Sequence, residues 1–417
     1  MSVVRAGRSG TATRMFGALR HREYRWWFAS QVLAASGTMT QAIALSWLVL
    51  QMTGNAVWLA VLAICAWAPL LPLGPWAGAL VDRVDRRRLL MLTTSLLLAL
   101  SVVLTVLTAM GAVRLWSVCV LSLLTGVVAS VDGTARQVYV VDLVGTSGIA
   151  SAVSLYEVVI NASRVLGPAV GGVLLSTVGT AACFGVNAAA FLAPLLVLLH
   201  NRKPASGQAA PVRRSPGAIR LGLRYVAQAP VIRACVLLAA ASGMLFNLGI
   251  ALPVFTTRSL GLGGGGLGLM MAAFGVGALP GAALAASRAW PTGQQVRWLA
   301  LSTGVVVILV AYAPVAALAF AGMAVAGFTS IWFIASANTL VQLSSANALR
   351  GRVMGVWTMA LPGTLPVTGL ITAWADEALG PRPGFAAAGV ALLLTVAIGW
   401  SALGRHRPGE IISDTIG

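Results

Sequence analysis

Long apolar runs, separated by short polar connections, constrain this chain more than any other feature of its sequence. A membrane-spanning helix needs about 20 consecutive, mostly apolar residues, and runs of that length recur from residue 24 to residue 404. Hydrophobic residues make up 58% of the 417 residues, whereas charged residues make up only 9%. This composition excludes a soluble multidomain enzyme and predicts an integral protein of the lipid bilayer.

The runs number twelve and form two sets of six. Their approximate bounds are 24–51, 56–80, 88–110, 115–140, 150–176 and 181–200, and then 233–257, 264–287, 295–314, 315–343, 352–375 and 384–404. We therefore expect an all-α membrane protein with twelve transmembrane helices in two six-helix bundles. The predicted domains are a cytoplasmic N-terminal arm at 1–22, a first bundle at 23–200, a cytoplasmic linker with an amphipathic segment at 201–232, a second bundle at 233–404 and a cytoplasmic tail at 405–417.

The distribution of arginines predicts the orientation of these spans. If the N-terminus is cytoplasmic, nearly all basic residues lie in cytoplasmic connections, and the opposite side holds only Arg114, Arg258 and Arg382. Basic residues accumulate in the cytoplasmic loops of membrane proteins. Both termini are therefore expected in the cytoplasm, with the protein in the cell membrane. The formal net charge of +18 is then explained by the arginines of the cytoplasmic connections, and no nucleic acid partner is expected.

A charged turn between the second and third runs carries the most specific motif. Gly78, Asp82, Arg83, Arg87 and Arg88 follow the spacing Gly-x-x-x-Asp-Arg-x-x-x-Arg-Arg. A basic loop that only orients the protein would explain the arginines, but not the acid placed four residues after the glycine. The spacing resembles the signature loop between the second and third helices of the major facilitator superfamily of transporters. The resemblance implies the two-bundle fold of that superfamily and a gating role for this loop.

A second motif lies in the fifth run. Gly167, Pro168, Gly171 and Gly172 belong to a segment that resembles the fifth-helix motif of exporters and antiporters in the same superfamily, in which the Gly-Pro pair bends the helix. Ser163 stands where that motif begins with glycine. Small residues at intervals of four also favour close contact between membrane helices.

Carboxylates inside the spans are candidates for ion coupling, because an acid buried in lipid costs about 2.5–3.5 kcal/mol and is kept for a function. Glu157 and Arg164 share one face of the fifth run, and we hypothesise that Glu157 exchanges a proton while Arg164 supplies a competing charge. The alternative is a permanent ion pair of Glu157 with Arg164 or Arg136 that only fixes packing. Asp132 and Arg136 lie one turn apart; they are further candidates for proton coupling and could lock a closed state.

Several further segments narrow the resemblance. They are Ala18-Leu-Arg-His-Arg-Glu-Tyr24-Arg25, Ala44-Leu-Ser-Trp-Leu-Val-Leu-Gln-Met-Thr53-Gly54, the stretch from Asp132 to Asp142, Thr339-Leu-Val-Gln342, and Arg350-Gly-Arg352-Val353. They are similar to the superfamily branch that contains enterobactin exporters and macrolide efflux proteins. The resemblance implies proton-driven efflux of an amphipathic molecule by alternating access. Thr38 stands where relatives often carry an acid, which moves the expected coupling role to Glu157.

Polar and aromatic residues within the spans could line a substrate cavity. The candidates are Gln31, Thr38, Gln41, Asn161, Asn247, Trp332, Asn338 and Trp357. Each could equally serve helix packing or lie at the membrane interface. With only ten carboxylates in the chain, a neutral or anionic substrate is favoured over a strongly cationic one.

The sequence lacks the motifs of an enzyme or a metalloprotein. No phosphate-binding lysine motif, His-Glu-x-x-His pair or nucleophile elbow occurs, and the four cysteines have no Cys-x-x-Cys spacing. We expect no enzymatic activity, no cofactor and no metal. The predicted function is secondary active efflux of a siderophore, macrolide or other antibiotic, with the substrate, protons and the lipid bilayer as partners and a monomer as the working unit. The alternatives are an importer with the same fold and a non-transporting membrane receptor or assembly protein.

Overall fold

The computed structural model of the protein describes residues 17–81, 83–201, 218–287, 290–346 and 349–404. Within these ranges all regular secondary structure is helical. Helices are the expected solution for a chain in lipid, because each helix satisfies its own backbone hydrogen bonds where no water is present.

The described ranges contain fifteen α-helices. They are α1 (Arg22–Thr53), α2 (Ala56–Trp67), α3 (Leu70–Val81), α4 (Arg86–Ala109), α5 (Leu115–Thr177), α6 (Thr180–His200), α7 (Ala218–Gln228), α8 (Pro230–Phe246), α9 (Leu248–Arg258), α10 (Gly264–Ser287), α11 (Gly293–Ala311), α12 (Ala316–Ser344), α13 (Arg350–Ala360), α14 (Leu365–Ala378) and α15 (Pro381–Gly404). Two short 3-10 turns lie at Gly17–Arg20 and Pro362–Thr364.

The membrane character predicted from composition is confirmed. Nine helical segments in the described part of the chain are long and apolar enough to cross a membrane, and the bent pair α8 and α9 makes a tenth. The number of twelve stays a prediction, because the runs at 56–80 and 352–375 are each divided into two short helices. Pro69 lies at one division and Pro362 at the other, and proline has no N–H with which to continue a helical hydrogen-bond ladder.

The fourth and fifth predicted spans are joined end to end in α5. Gly145 interrupts this helix with φ of 69°, a left-handed conformation that suits glycine, and separates the two spans Leu115–Gly145 and Val158–Thr177. The label α5 therefore covers two helices that meet at a bend at Gly145.

The helices form two compact units. The first comprises Met1–Leu48 and Ile64–Pro211, and the second comprises Val49–Ala63 and Val212–Gly417. The second unit thus includes the turn between α1 and α2, which the predicted bundle at 23–200 assigns to the first half. The helix α7 forms where the sequence predicts an amphipathic segment, with Val226 buried in the core of the second unit and Leu223 and Arg224 exposed.

The core of the first unit contains aromatic as well as aliphatic side chains. Trp27 and Tyr139 meet edge to face with ring centroids 5.1 Å apart, and Leu90, Leu155 and Leu198 are buried beside them. This core packs α1 and the last turn of α6 against α4 and α5.

In the second unit, glycines bring two helices into backbone contact. A Cβ atom added at Gly277 of α10 would lie 1.7 Å from the carbonyl oxygen of Ala324, and one at Gly327 of α12 would lie 1.9 Å from that of Phe274. Small residues let membrane helices approach in this way, where van der Waals packing replaces the hydrophobic effect as the driving force.

Candidate functional site

A buried charged network crosses three helices of the first unit. Asp132 and Arg136 lie one turn apart on α5, and the Nε atom of Arg136 donates to Oδ2 of Asp132. The Nη1 atom of Arg136 donates to the side-chain oxygen of Gln31 on α1. Thr93 of α4 donates its hydroxyl proton to Oδ1 of Asp132 over 2.7 Å. We call these four residues the Asp132 network.

The Asp132 network is shielded from solvent but is well supplied with hydrogen bonds. The side chain of Asp132 is 6% exposed and that of Arg136 is 17% exposed. Charges in such a place need partners, and removal of one member of a buried pair typically costs about 3–5 kcal/mol. A change in the charge of Asp132 would therefore alter contacts on α1, α4 and α5 together.

A second ion pair lies under the charged turn that precedes α4. Nη1 of Arg86 donates to both carboxylate oxygens of Asp142 over 2.7 and 3.0 Å, and the two side chains are 7% and 6% exposed. Asp85 caps the N-terminus of α4 by accepting the backbone N–H of Arg88. Sequence reasoning missed the Arg86–Asp142 pair, although both residues stand in segments that carried the superfamily resemblance.

The structure describes only some of the residues of the predicted gating loop. Arg87 donates from Nε to the carbonyl of Leu198 at the end of α6 over 2.7 Å, while Arg83 and Arg88 are exposed. Asp82 lies outside the described residues, and the surroundings of Gly78 are not described either. Their gating role stays a prediction.

The Gly-Pro motif of α5 lies directly against α1. A Cβ at Gly167 would lie 2.4 Å from Cβ of Met39 and 2.6 Å from the carbonyl oxygen of Ser36. Thr40 donates its hydroxyl proton to the Gly167 carbonyl over 2.9 Å. The motif thus permits a close helix crossing that any side chain at Gly167 would prevent. Pro168, Gly171 and Gly172 are buried beside it.

Glu157, the acid favoured by sequence, belongs to α5, but its side chain and that of Asn161 lie outside the described side chains. Arg164 is half-buried on the same helix. The hypothesis that Glu157 and Arg164 couple transport to protons stays untested.

Two of the predicted cavity residues make polar contacts inside the first unit. Gln41 accepts hydrogen bonds from Ser101 over 3.1 Å and from Asn187 over 2.8 Å, which joins α1, α4 and α6. Gln31 belongs to the Asp132 network. Thr38, in contrast, is exposed and donates to the carbonyl of Ala34.

The other predicted cavity residues lie in the second unit. Asn247 stands at the bend between α8 and α9 and donates to the hydroxyl of Thr368 over 2.9 Å. Trp332 meets Phe328 edge to face at 5.4 Å, and Asn338 accepts from Gln342 over 3.1 Å. Trp357 is 6% exposed within the hydrophobic core. Their role towards a substrate stays a prediction.

A charged cluster at one end of the second unit escaped the sequence reasoning. Oε1 of Glu377 accepts from the backbone N–H of Ala56 over 2.7 Å and from Nη2 of Arg258 over 3.0 Å. Arg258 also donates to the carbonyl of Gly54. We call these contacts the clasp. Arg258 is one of only three arginines predicted on the non-cytoplasmic side, which was the available signal for it.

Asp376, beside the clasp, is 1% exposed. Neither of its carboxylate oxygens has a hydrogen-bond donor among the described residues. The apolar run predicted at 352–375 ends one residue before Asp376.

The described residues hold no group of three or more histidine, cysteine or acidic side chains that could bind a metal ion. The four cysteines are free thiols, with Cys183 and Cys235 buried.

Comparisons with solved structures place the fold among transporters. A bacterial homologue of the human lysosomal transporter Spinster superposes with a TM-score of 0.72 at 14% identity, over 92% of this chain and 97% of that one. A bacterial homologue of the iron transporter ferroportin gives a TM-score of 0.69 at 15% identity, over 92% and 99% of the two chains. At these identities the likeness shows the fold alone.

Relatives found by sequence similarity narrow the kind of transporter further than the fold does. The multidrug efflux pump Tap of Mycolicibacterium fortuitum is 30% identical over 377 residues, which cover 87% of this chain and 91% of that protein. The enterobactin exporter EntS of Salmonella choleraesuis is 26% identical over 346 residues, 81% and 82% of the two chains. The staphyloferrin A transporter of Staphylococcus aureus is 32% identical over 176 residues, 42% and 44% of the two chains.

A family model described as a transmembrane secretion effector matches residues 13–407, nearly the whole chain. The resemblance to the efflux branch is therefore confirmed, and with it a multi-pass membrane protein of a transporter family. The chain belongs to the transmembrane secretion effector family, within the efflux branch of the major facilitator superfamily.

Proposed function

We propose that this transporter exports a small amphipathic molecule in exchange for protons, and that the Asp132 network takes part in the exchange. The buried ion pair between Asp132 and Arg136 is the observation that carries the proposal. It places a carboxylate, a guanidinium and two polar side chains from three helices within one hydrogen-bonded group.

A proton bound by Asp132 would remove the charge that holds Arg136. Arg136 would then lose its ion-pair partner in a shielded place, where an uncompensated charge costs several kcal/mol. The network must rearrange to relieve that cost, and its members lie on α1, α4 and α5. Proton binding is thereby linked to the packing of these helices.

The available energy is sufficient for export. One proton that moves down a membrane potential of 100 mV releases about 2.3 kcal/mol, which corresponds to a substrate gradient of roughly fifty-fold. Glu157, the coupling acid favoured by the sequence, becomes our second candidate together with Arg164, because its spacing from Arg164 and Pro168 places the three residues on one face of a helix.

The proposed substrate class is a siderophore, a macrolide or another antibiotic. Relatives named as a multidrug efflux pump, an enterobactin exporter and a staphyloferrin A transporter support it. We further propose a monomer in the cell membrane with twelve spans and both termini in the cytoplasm, in agreement with the distribution of arginines.

Everted membrane vesicles from cells that express the protein test coupling and direction together. Export from the cell appears there as uptake, so radiolabelled erythromycin and enterobactin should each be assayed with an acidic vesicle interior. We expect uptake of at least one probe and its loss when nigericin abolishes the pH gradient. Gradient-driven release of a preloaded probe, with no uptake, would instead indicate an importer.

The variant Asp132→Asn tests the role of the network. It keeps the size of the side chain but cannot exchange a proton, so we expect its uptake to fall to the rate measured without a gradient. Asp85→Asn is the matched control, because Asp85 is exposed and asparagine also caps helices. Equal gradient-driven uptake in Asp132→Asn and parent protein would remove Asp132 from the mechanism, and the same assay on Glu157→Gln would decide for the second acid.

A further inference from the structure

The clasp fastens a short segment of chain to the ends of two helices of the second unit. Glu377 at the end of α14 and Arg258 at the end of α9 hold the turn Gly54–Ala56 through backbone contacts. The N–H of Ala56 is the first donor of α2, where a carboxylate is further stabilised by the helix dipole. The residue Ala56 is 0% exposed in this arrangement.

Asp376 is enclosed next to the clasp. It is 1% exposed, and neither carboxylate oxygen meets a donor among the described residues. The first turn of α15 closes over it, because a Cβ at Gly384 would lie 2.2 Å from Oδ1 of Asp376. An ionised carboxylate without hydrogen bonds is strongly unfavourable in such a place, whereas the protonated acid is tolerated.

The helices that pack against α14 carry few charged groups. The helices packed against α14 are α8, α9 and α15, with the turn Pro362–Thr364. They carry Arg258 at the end of α9, Arg382 in the first turn of α15, and Arg233 near the start of α8. Glu377 follows Asp376 directly, and the segment Val49–Ala63 has no charged residue.

We propose that Asp376 is a proton-binding site that controls the clasp, so that the clasp is closed while Asp376 is protonated and opens when the proton leaves. While Asp376 is neutral, Arg258 forms its ion pair with Glu377 and also donates to the Gly54 carbonyl. Ionisation places a second negative charge beside Glu377, which repels Glu377 and draws Arg258 away from the Gly54 carbonyl. Opening then lets water reach the new charge.

The direction in which the pKa of Asp376 is shifted agrees with this proposal. Burial, and secondarily the charge of Glu377, raises the pKa of Asp376 from 3.8 to about 8, against the opposing effect of Arg258. Asp376 lies one residue beyond the predicted eleventh span, 352–375. If the open form has an ordinary carboxyl pKa, Asp376 is protonated in the closed form and ionised in the open form between pH 3.8 and about 8. The closed form is therefore fully favoured below that window and weakens by up to about tenfold per pH unit as the pH rises through it.

This site differs from the Asp132 network, which belongs to the other unit, and the inference does not depend on the proposed function. Cysteine labelling of the purified protein tests it without transport. In a background with the four native cysteines replaced by alanine, Ala56→Cys reports opening because position 56 is buried in the clasp. Val57→Cys, at an exposed neighbouring position, corrects for the ionisation of the thiol.

We expect the ratio of maleimide labelling rates, Ala56→Cys over Val57→Cys, to rise by up to about tenfold per unit between about pH 6 and pH 8. In the Asp376→Asn background, which mimics the protonated acid, the ratio should stay low at every pH. Glu377→Gln should raise it at every pH, because a neutral amide holds Arg258 less well. Hydrogen exchange of the peptide 49–63, normalised to an exposed peptide, gives the same readout without cysteines.

A ratio that is independent of pH in the parent protein would overturn the proposal. The same pH dependence in Asp376→Asn would also overturn it, because another group would then be responsible. The variant Asp85→Asn, which removes an exposed acid from the first unit, should behave as the parent.

Discussion

At the residue scale, buried charged side chains are the positions at which a single substitution should change stability most. Arg86 and Asp142 form a bidentate pair in which each side chain is less than one tenth exposed. A pair of this kind adds little net stability over apolar residues, but the loss of one partner leaves an uncompensated charge. Its value to the fold is therefore best measured by breaking it from either side.

We predict that Arg86→Gln and Asp142→Asn each lower the free energy of unfolding by about 3–5 kcal/mol. The double variant should lose less than the sum, because either single substitution already breaks the Arg86–Asp142 ion pair. Thermal or denaturant unfolding in detergent measures these differences. Arg88→Gln is the control: Arg88 is exposed, so its effect should stay within about 0.5 kcal/mol. Additive losses in the double variant would contradict a direct interaction.

At the scale of elements, glycine contacts determine which helices pair. The helices α10 and α12 approach so closely at Gly277 and Gly327 that a methyl group at either position would collide with a backbone carbonyl oxygen of the other helix. Backbone atoms cannot rotate away as a side chain can. The two helices would have to move apart along their whole contact.

We therefore predict that Gly277→Ala destabilises the second unit by more than about 1–3 kcal/mol, the usual cost of overpacking a core. Gly355→Ala, in α13, is the matched control, since a Cβ there meets nothing within 4 Å. It should be neutral or stabilising by up to about 1 kcal/mol, because alanine favours helix. Thermal stability in detergent, followed by size-exclusion chromatography, compares the two. Equal stability of the two variants would refute the close contact.

At the scale of the whole molecule, the number and direction of the spans are predicted from apolar length and arginine distribution. These rules act while the chain enters the membrane, before helices pack. The sequence therefore makes a prediction for topology that does not depend on how the two units are arranged.

We expect alkaline phosphatase fused after Arg114, Gly261 or Gly380 to be active, since these positions are predicted outside the cytoplasm. Fusions after Arg83 or Leu349 should be inactive but fluorescent when green fluorescent protein replaces the phosphatase. With a further active fusion after Gly54, this pattern would establish that the divided runs at 56–80 and 352–375 each cross the membrane once. Phosphatase activity after Arg83 would refute the crossing of the second run.

The apolar runs were sufficient to predict a helical membrane protein, and the motifs around Gly78 and Gly167 were sufficient to predict its superfamily. The candidate site was harder to predict from the sequence. Asp132 and Arg136 were found because their spacing alone places them one turn apart, but Gln31 and Thr93, which complete their network, are distant in sequence. Glu157 was favoured because it lies within an apolar run, and its environment stays a prediction.

What the sequence by itself determined is which segments leave water, because transfer to lipid depends on local composition. What only the tertiary structure decided is which polar groups meet once they are there. The pairs Arg86–Asp142 and Arg258–Glu377, and the isolation of Asp376, join or separate residues far apart in the chain. Lipid and protein interior are equally apolar, so hydrophobicity cannot distinguish a face that contacts lipid from one that contacts another helix.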